Sequence, residues 1–338
     1  MTSTFVPTIK RVNRSAATEA SIKRGKKLLA DKRFDEALTE FETLVREDQA
    51  NAFVHLAIGR IKARKKDFDD ALEHFNTAIE LDPTHAQPYL RSGRIYFQRG
   101  ELEKAREAFL NALRVNERSA IAHAAIGFVH IRSEQLELAI ESWSRALGFN
   151  PRMLPVRKRI ALALQRVGRP SDAMAQAKAA LRIQPTDPES HAIVGRLHLF
   201  AKQFDQALRA YRKAVELDPE EQKLGIRLGL AEACIGAGQL EEAELLLNST
   251  PQRDQYSALL HKLWGDLYTA RGLHKEATEE YRGAVLISGQ AVEIEGFDTL
   301  DILADDGDDS RWEAVAQNAK RATSEIIDAR RDGQARGV

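Results

Sequence analysis

A recurrence at 34 residues constrains this chain more than any other feature. In residues 86–119, small or apolar residues fall at Tyr89, Gly93 and Tyr96 and again at Ala105, Phe109 and Ala112, with a turn at Arg99-Gly100-Glu101 between the sets. Intervals of three and four place each set on one face of a helix. Moved upstream by 34, the pattern returns at Gly59, Ala71, Phe75, Ala78 and Pro83; moved downstream, it returns at Gly127, Ala139, Trp143, Ala146 and Pro151. A fixed period of that length predicts a stacked array, in which each unit buries its apolar face only against its neighbours.

Eight frames can be laid down, starting at Thr18, Ala52, Ala86, Ala120, Leu154, Pro188, Leu224 and Ala258. One second-helix column is alanine throughout: Ala37, Ala71, Ala105, Ala139, Ala173, Ala207, Ala243 and Ala277. The small first-helix column reads Gly25, Gly59, Gly93, Gly127, Ala161, Gly195, Ala231 and Gly265. Repeat five is the weakest frame, because Ala177 stands where its siblings carry an aromatic and Pro170 occupies the turn.

This pattern resembles the tetratricopeptide repeat family. The resemblance implies an all-α, right-handed α-solenoid of eight helix-turn-helix repeats, at 18–51, 52–85, 86–119, 120–153, 154–187, 188–223, 224–257 and 258–290. Residues 1–17 read as a disordered tail. Residues 291–309 carry eight acids and no base, and one-signed charge predicts an extended acidic linker. Ser310-Arg311-Trp312-Glu313 has capping-box spacing and opens an amphipathic C-terminal helix over 310–332, expected to cap repeat eight or to dock on a partner.

No apolar run approaches the ~20 residues of a membrane span. The single Cys234 cannot form an internal disulfide, which fits a reducing compartment. Residues 1–17 lack an apolar signal-peptide core, so the expected location is cytoplasmic. Their basic, Ser/Thr-rich character makes organellar targeting the alternative.

No nucleophile elbow, phosphate-cradling glycine loop or metal-binding cysteine pair is present, and no enzyme activity, cofactor or metal is expected. His55, His123, His191 and His261 recur at the fourth position of alternate repeats. His130 and His198 follow His123 and His191 by seven residues, roughly 10 Å along a helix, too far for one ion to bridge. The histidines read as flat side chains packed in an aromatic slot.

Charge is the functional signal. The chain is neutral overall, yet residues 1–200 hold 33 basic against 24 acidic side chains. First helices 52–65, 86–99, 120–133 and 154–167 contain twelve Lys or Arg and no Asp or Glu. In the family this resembles, the first helix lines a concave groove. By register the groove-facing cations are Lys26, Arg60, Arg64, Arg94, Arg132, Lys158, Arg166 and Arg196, with Arg91 one step off. A surface of one sign attracts the opposite sign, and the Arg fork suits carboxylates. The expected function is a protein-binding adaptor or assembly scaffold that holds an acidic, partly apolar peptide or protein segment. The acidic 291–309 tail is an internal competitor and a route to self-association. Nucleic-acid binding is the weaker alternative, since net charge is zero and no exposed aromatic row offers base stacking. A regulatory repeat subunit of a larger enzyme complex is the third.

Overall fold

The computed structural model describes residues 16–47, 51–218, 224–249 and 258–288. Of the expected N-terminal tail 1–17, Ala16 and Ala17 instead open the first helix, and its remainder, the acidic linker 291–309 and the C-terminal helix 310–332 lie outside the described residues. Within them every regular element is an α-helix, and the sixteen helices come as eight hairpins. These are α1 (Ala16–Ala30) with α2 (Phe34–Arg46), α3 (Ala52–Arg64) with α4 (Phe68–Leu81), α5 (Ala86–Gln98) with α6 (Leu102–Val115), and α7 (Ala120–Arg132) with α8 (Leu136–Phe149). They continue with α9 (Leu154–Arg166) and α10 (Pro170–Ile183), α11 (Pro188–Phe200) and α12 (Phe204–Leu217), α13 (Leu224–Gly236) and α14 (Leu240–Asn248), and α15 (Ala258–Ala270) and α16 (His274–Ser288). The fold is an all-α solenoid of helix-turn-helix repeats.

The alanine column explains how each hairpin closes. Ala37, Ala71, Ala105, Ala139, Ala173, Ala207 and Ala243 are fully buried, and Ala277 nearly so. A side chain of one carbon lets the second helix lie close against the first. Beside it the large column fills the core, with Phe41, Phe75, Phe109 and Trp143 at 0–1% exposure. Burying one such ring contributes roughly 1.5–3 kcal/mol.

The glycine column follows from those rings. A Cβ added at Gly59 would lie 2.5 Å from Phe75 Cε1, and one at Gly127 2.3 Å from Trp143 Nε1, well inside van der Waals contact. Where Ala161 replaces glycine, the opposing residue is the small Ala177; where Ala231 replaces it, the residue is Leu247. First-helix and second-helix positions therefore trade volume.

Each hairpin turns through one residue with positive φ: Lys32, Lys66, Gly100, Glu134, Gly168, Lys202, Gly238 and Gly272. Around Gly100 (φ 76°), the Gly100 amide donates to Phe97 O and the Glu101 amide to Tyr96 O at 3.1 and 2.9 Å. That is the Schellman arrangement that satisfies carbonyls at a helix end. Pro170, at the turn of the weakest frame, opens α10 at a position where a missing N–H costs nothing. Between hairpins, Asp82, Asn116 and Asn150 each accept from the amide two residues on, making recurrent Asx turns.

The chain divides after Val156, within α9, into two compact units. In the first, α2 packs on α3, α4 on α5 and α6 on α7, while α3 also touches α5 and α5 touches α7. The first helices therefore form one continuous face of that unit. The second repeats the scheme, with α10 on α11, α12 on α13, α11 against α13 and α13 against α15.

Candidate binding face

In the first unit the face is formed by α1, α3, α5 and α7. Lys26, Arg60, Arg64 and Arg132 are exposed on it, and Arg91 and Arg94 are half-buried. Three of these cations rest on aromatic rings. Lys26 Nζ lies 4.4 Å from the Phe53 ring centre, Arg64 Cζ 4.5 Å from Phe34, and Arg132 Cζ 5.3 Å from Phe97. A ring face attracts a cation without neutralising it, so the charge stays available to a ligand. Among the described residues Lys26, Arg60 and Arg132 have no carboxylate partner. Other first-helix cations do, along the edge shared with second helices: Lys62 with Asp70 at 3.2 Å, Lys65 with Asp35 at 2.5 Å and Arg99 with Asp69 at 2.7 Å.

The second unit treats its cations differently. Arg166 and Arg196 are exposed. Lys158 leaves the predicted row: it is 14% exposed and bonded by Glu189, with Asp187 3.5 Å away, so its charge is satisfied between helices. The same Asp187 accepts from the Ser190 amide at 2.7 Å and caps α11. On α13 and α15 the register turns acidic. Lys262 stands between Glu232 at 3.5 Å and Asp266 at 2.7 Å, and Tyr281 donates its hydroxyl to Asp266 at 2.8 Å.

Sequence reasoning located the basic row but missed the rings beneath it. The signal was present in spacing: Arg64 follows Phe34 by 30 residues, as Lys65 follows Asp35 and Arg99 follows Asp69. That interval joins the end of one first helix to the start of the preceding second helix.

The histidines pack as flat side chains. His123 stacks on Phe149 with centroids 5.5 Å apart and bonds Glu117 O through Nε2. His191 bonds Pro185 O in the same way. His130 and His198 each place Nδ1 2.7 Å from a glutamine Oε1, of Gln135 and Gln203. His261 Nδ1 pairs with Glu280 at 2.7 Å. His55 and His74 face one another across the α3–α4 hairpin. Burial lowers the pKa of both, with the mutual charge adding to the effect at His55. Cys234 is buried, and burial pushes its thiol up to about 11, which makes it unreactive near neutrality. Among the described residues no three His, Cys, Asp or Glu side chains converge on a metal position, and no helix is long and apolar enough to cross a membrane.

A stack of helix hairpins of this kind defines a protein-interaction scaffold of the tetratricopeptide repeat class. Residues 12–254 match the family described as cilia and flagella-associated protein 70 C-terminal domain, and the chain belongs to that family. The match ends before α15. A comparison with curated proteins found no match. Solved structures share the fold. A chain of the APC/C hetero-tetramer Cut9-Hcn1 is 14% identical with a TM-score of 0.58, covering 87% of this chain and 57% of that one. Pseudomonas aeruginosa pilF is 18% identical with a TM-score of 0.56, covering 64% and 97%. PilW, a type IV pilus biogenesis factor, is 21% identical with a TM-score of 0.55, covering 62% and 98%.

Proposed function

We propose that the first-helix face of the amino-terminal unit binds an acidic, partly apolar peptide or protein segment, and that the chain serves as an adaptor or assembly scaffold. The observation that carries this reading is the state of its cations: Lys26 and Arg132 lie on rings, and Arg60 is exposed. None of the three has a carboxylate partner among the described residues. Ile121, 48% exposed at the start of α7, adds an apolar contact on the same helices. Arg64, Arg91 and Arg94 extend the positive field, and Arg166 and Arg196 are further cations of the second unit. The acidic segment 291–309 competes for this face in the reading, and it offers a means of self-association. The family name makes cilia or flagella a setting to examine, by imaging a tagged chain.

The test is fluorescence anisotropy with a labelled acidic peptide carrying leucine and phenylalanine, titrated at two salt concentrations. Reversal of Lys26, Arg60 and Arg132 to Glu is expected to weaken binding at least about tenfold and to flatten its salt dependence. Unchanged affinity in the triple variant removes these residues from the site. Deletion of 291–338 is expected to tighten binding, and no change ends the self-competition idea. Preference for a single-stranded oligonucleotide over the peptide would replace this reading with a nucleic-acid one.

A further inference from the structure

The fourth residue of the first helix and the residue nineteen later on the second face one another across a hairpin. In repeat five these positions hold Arg157, which donates to Gln176 at 2.9 Å, and in repeat eight His261 and Glu280, at 2.7 Å. Both pairs survive mild acid. The guanidinium stays charged, and a protonated His261 still has a carboxylate to receive its N–H. In repeat two the same positions hold two imidazoles, head to head, with His55 Nδ1 and His74 Nδ1 3.1 Å apart.

That bond depends on how many protons the pair carries. It requires one Nδ1 to bear hydrogen and the other to be bare, which two neutral rings in opposite tautomers supply. One added proton leaves it intact, because a cationic ring can donate to a neutral one. A second added proton turns both nitrogens into donors, and two like charges then face each other with ring centres 5.3 Å apart. The hydrogen bond is lost and repulsion takes its place.

The surroundings temper this without cancelling it. Both rings are half-buried. Glu73 and Asp70 of α4 and Glu42 of α2 favour a charged His74, and Lys62 of α3 opposes them. Arg46 of α2 shares the cleft beside His74 with Glu42. Asp70 is exposed and already engaged by Lys62 at 3.2 Å. Burial is the largest influence on each ring, and it favours the neutral form.

We propose that the His55–His74 bond is an acid-released latch, which holds α3 to α4 near neutral pH and lets that hairpin open once both imidazoles are protonated. Both folded-state pKa values lie below the ordinary imidazole value of 6.5, so the unfolded chain binds more protons in acid. The stability that the latch supplies is therefore full above that value and is lost as pH falls through the lowered folded values. The latch stands whether or not the cationic face binds a peptide.

The test is hydrogen exchange of the full chain at about pH 7.5 and about pH 5.5, with rates corrected for intrinsic exchange. Hairpin α9–α10 is the internal reference, since it crosses through Arg157 and Gln176 and contains no histidine. Acid is expected to raise the opening of α3–α4 at least about fivefold relative to it. His74→Glu gives repeat two the pairing of repeat eight and is expected to keep the hairpin closed in acid. Equal responses of the two hairpins, or undiminished acid opening in His74→Glu, overturn the proposal. Proton NMR titration of the native chain checks it without any variant. Two imidazoles titrating below the ordinary value support the latch, and none doing so refutes it.

Discussion

The two units are built from the same hairpin yet differ in where part of their charge goes. In the first, three first-helix cations lie on rings, Lys26 over Phe53, Arg64 over Phe34 and Arg132 over Phe97, while Lys62 pairs with Asp70. In the second, cations are drawn into carboxylates: Lys158 between Glu189 and Asp187, Lys262 between Glu232 and Asp266, and Arg271 on Glu244 at 2.6 Å. Their cores differ in parallel. The first unit keeps a glycine opposite an aromatic in every repeat, while the second has Ala161 opposite Ala177 and Ala231 opposite Leu247. A repeat therefore prescribes a scaffold without prescribing its surface. Surface charge is free to serve a ligand in one region and helix-to-helix cohesion in another.

The core contrast is broken most directly at Phe75. Phe75→Ala is expected to cost about 3–5 kcal/mol in denaturant unfolding, because a fully buried ring leaves a cavity. Gly59→Ala should cost about 1–3 kcal/mol through overpacking, which outweighs the gain of up to about 1 kcal/mol in helix propensity. The double variant reproduces the alanine pair of repeat five. It should cost less than the two changes summed, because the new methyl then has room; strict additivity would show that the columns do not trade volume.

The charge contrast is sharpened by Lys158→Met against Arg60→Met. The first removes a cation that bridges Glu189 and Asp187, 18% and 10% exposed, and is expected to cost about 3 kcal/mol. Arg60→Met should leave the thermal midpoint where it is, since Arg60 is exposed and makes no ion pair among the described residues. Equal effects would erase the distinction between cohesive and displayed cations.

A small effect, between those of Lys158 and Arg60, is expected at a ring-held cation. Arg132→Met is predicted to lose about 0.5–1 kcal/mol of stability, the worth of an exposed cation–π contact. A loss as large as that at Lys158 would mean that Arg132 is structural and unsuited to a ligand.

Much of the fold was legible because a repeat states the same requirement eight times. The alanine and glycine columns share one physical origin, the close approach of two helices, and the turn at Gly100 has another, the positive φ that ends a helix. Volume is a local property that a residue type declares. The candidate face was legible only in part. Lys26, Arg60 and Arg132 stand exposed in the expected register, but Lys158, with the same charge, is buried against Glu189. The difference lies in a neighbour about thirty residues away, which a first-helix pattern does not contain.

By itself the sequence determined the helix pairs, their core columns and the division of charge along the chain, because each depends on residue type at a fixed interval. Only the tertiary structure decided which cations are displayed and which are consumed, that His55 meets His74, and that the array divides after Val156. Those outcomes depend on contacts between helices of different columns, where differences of one or two ångströms separate a bonded pair from an open charge.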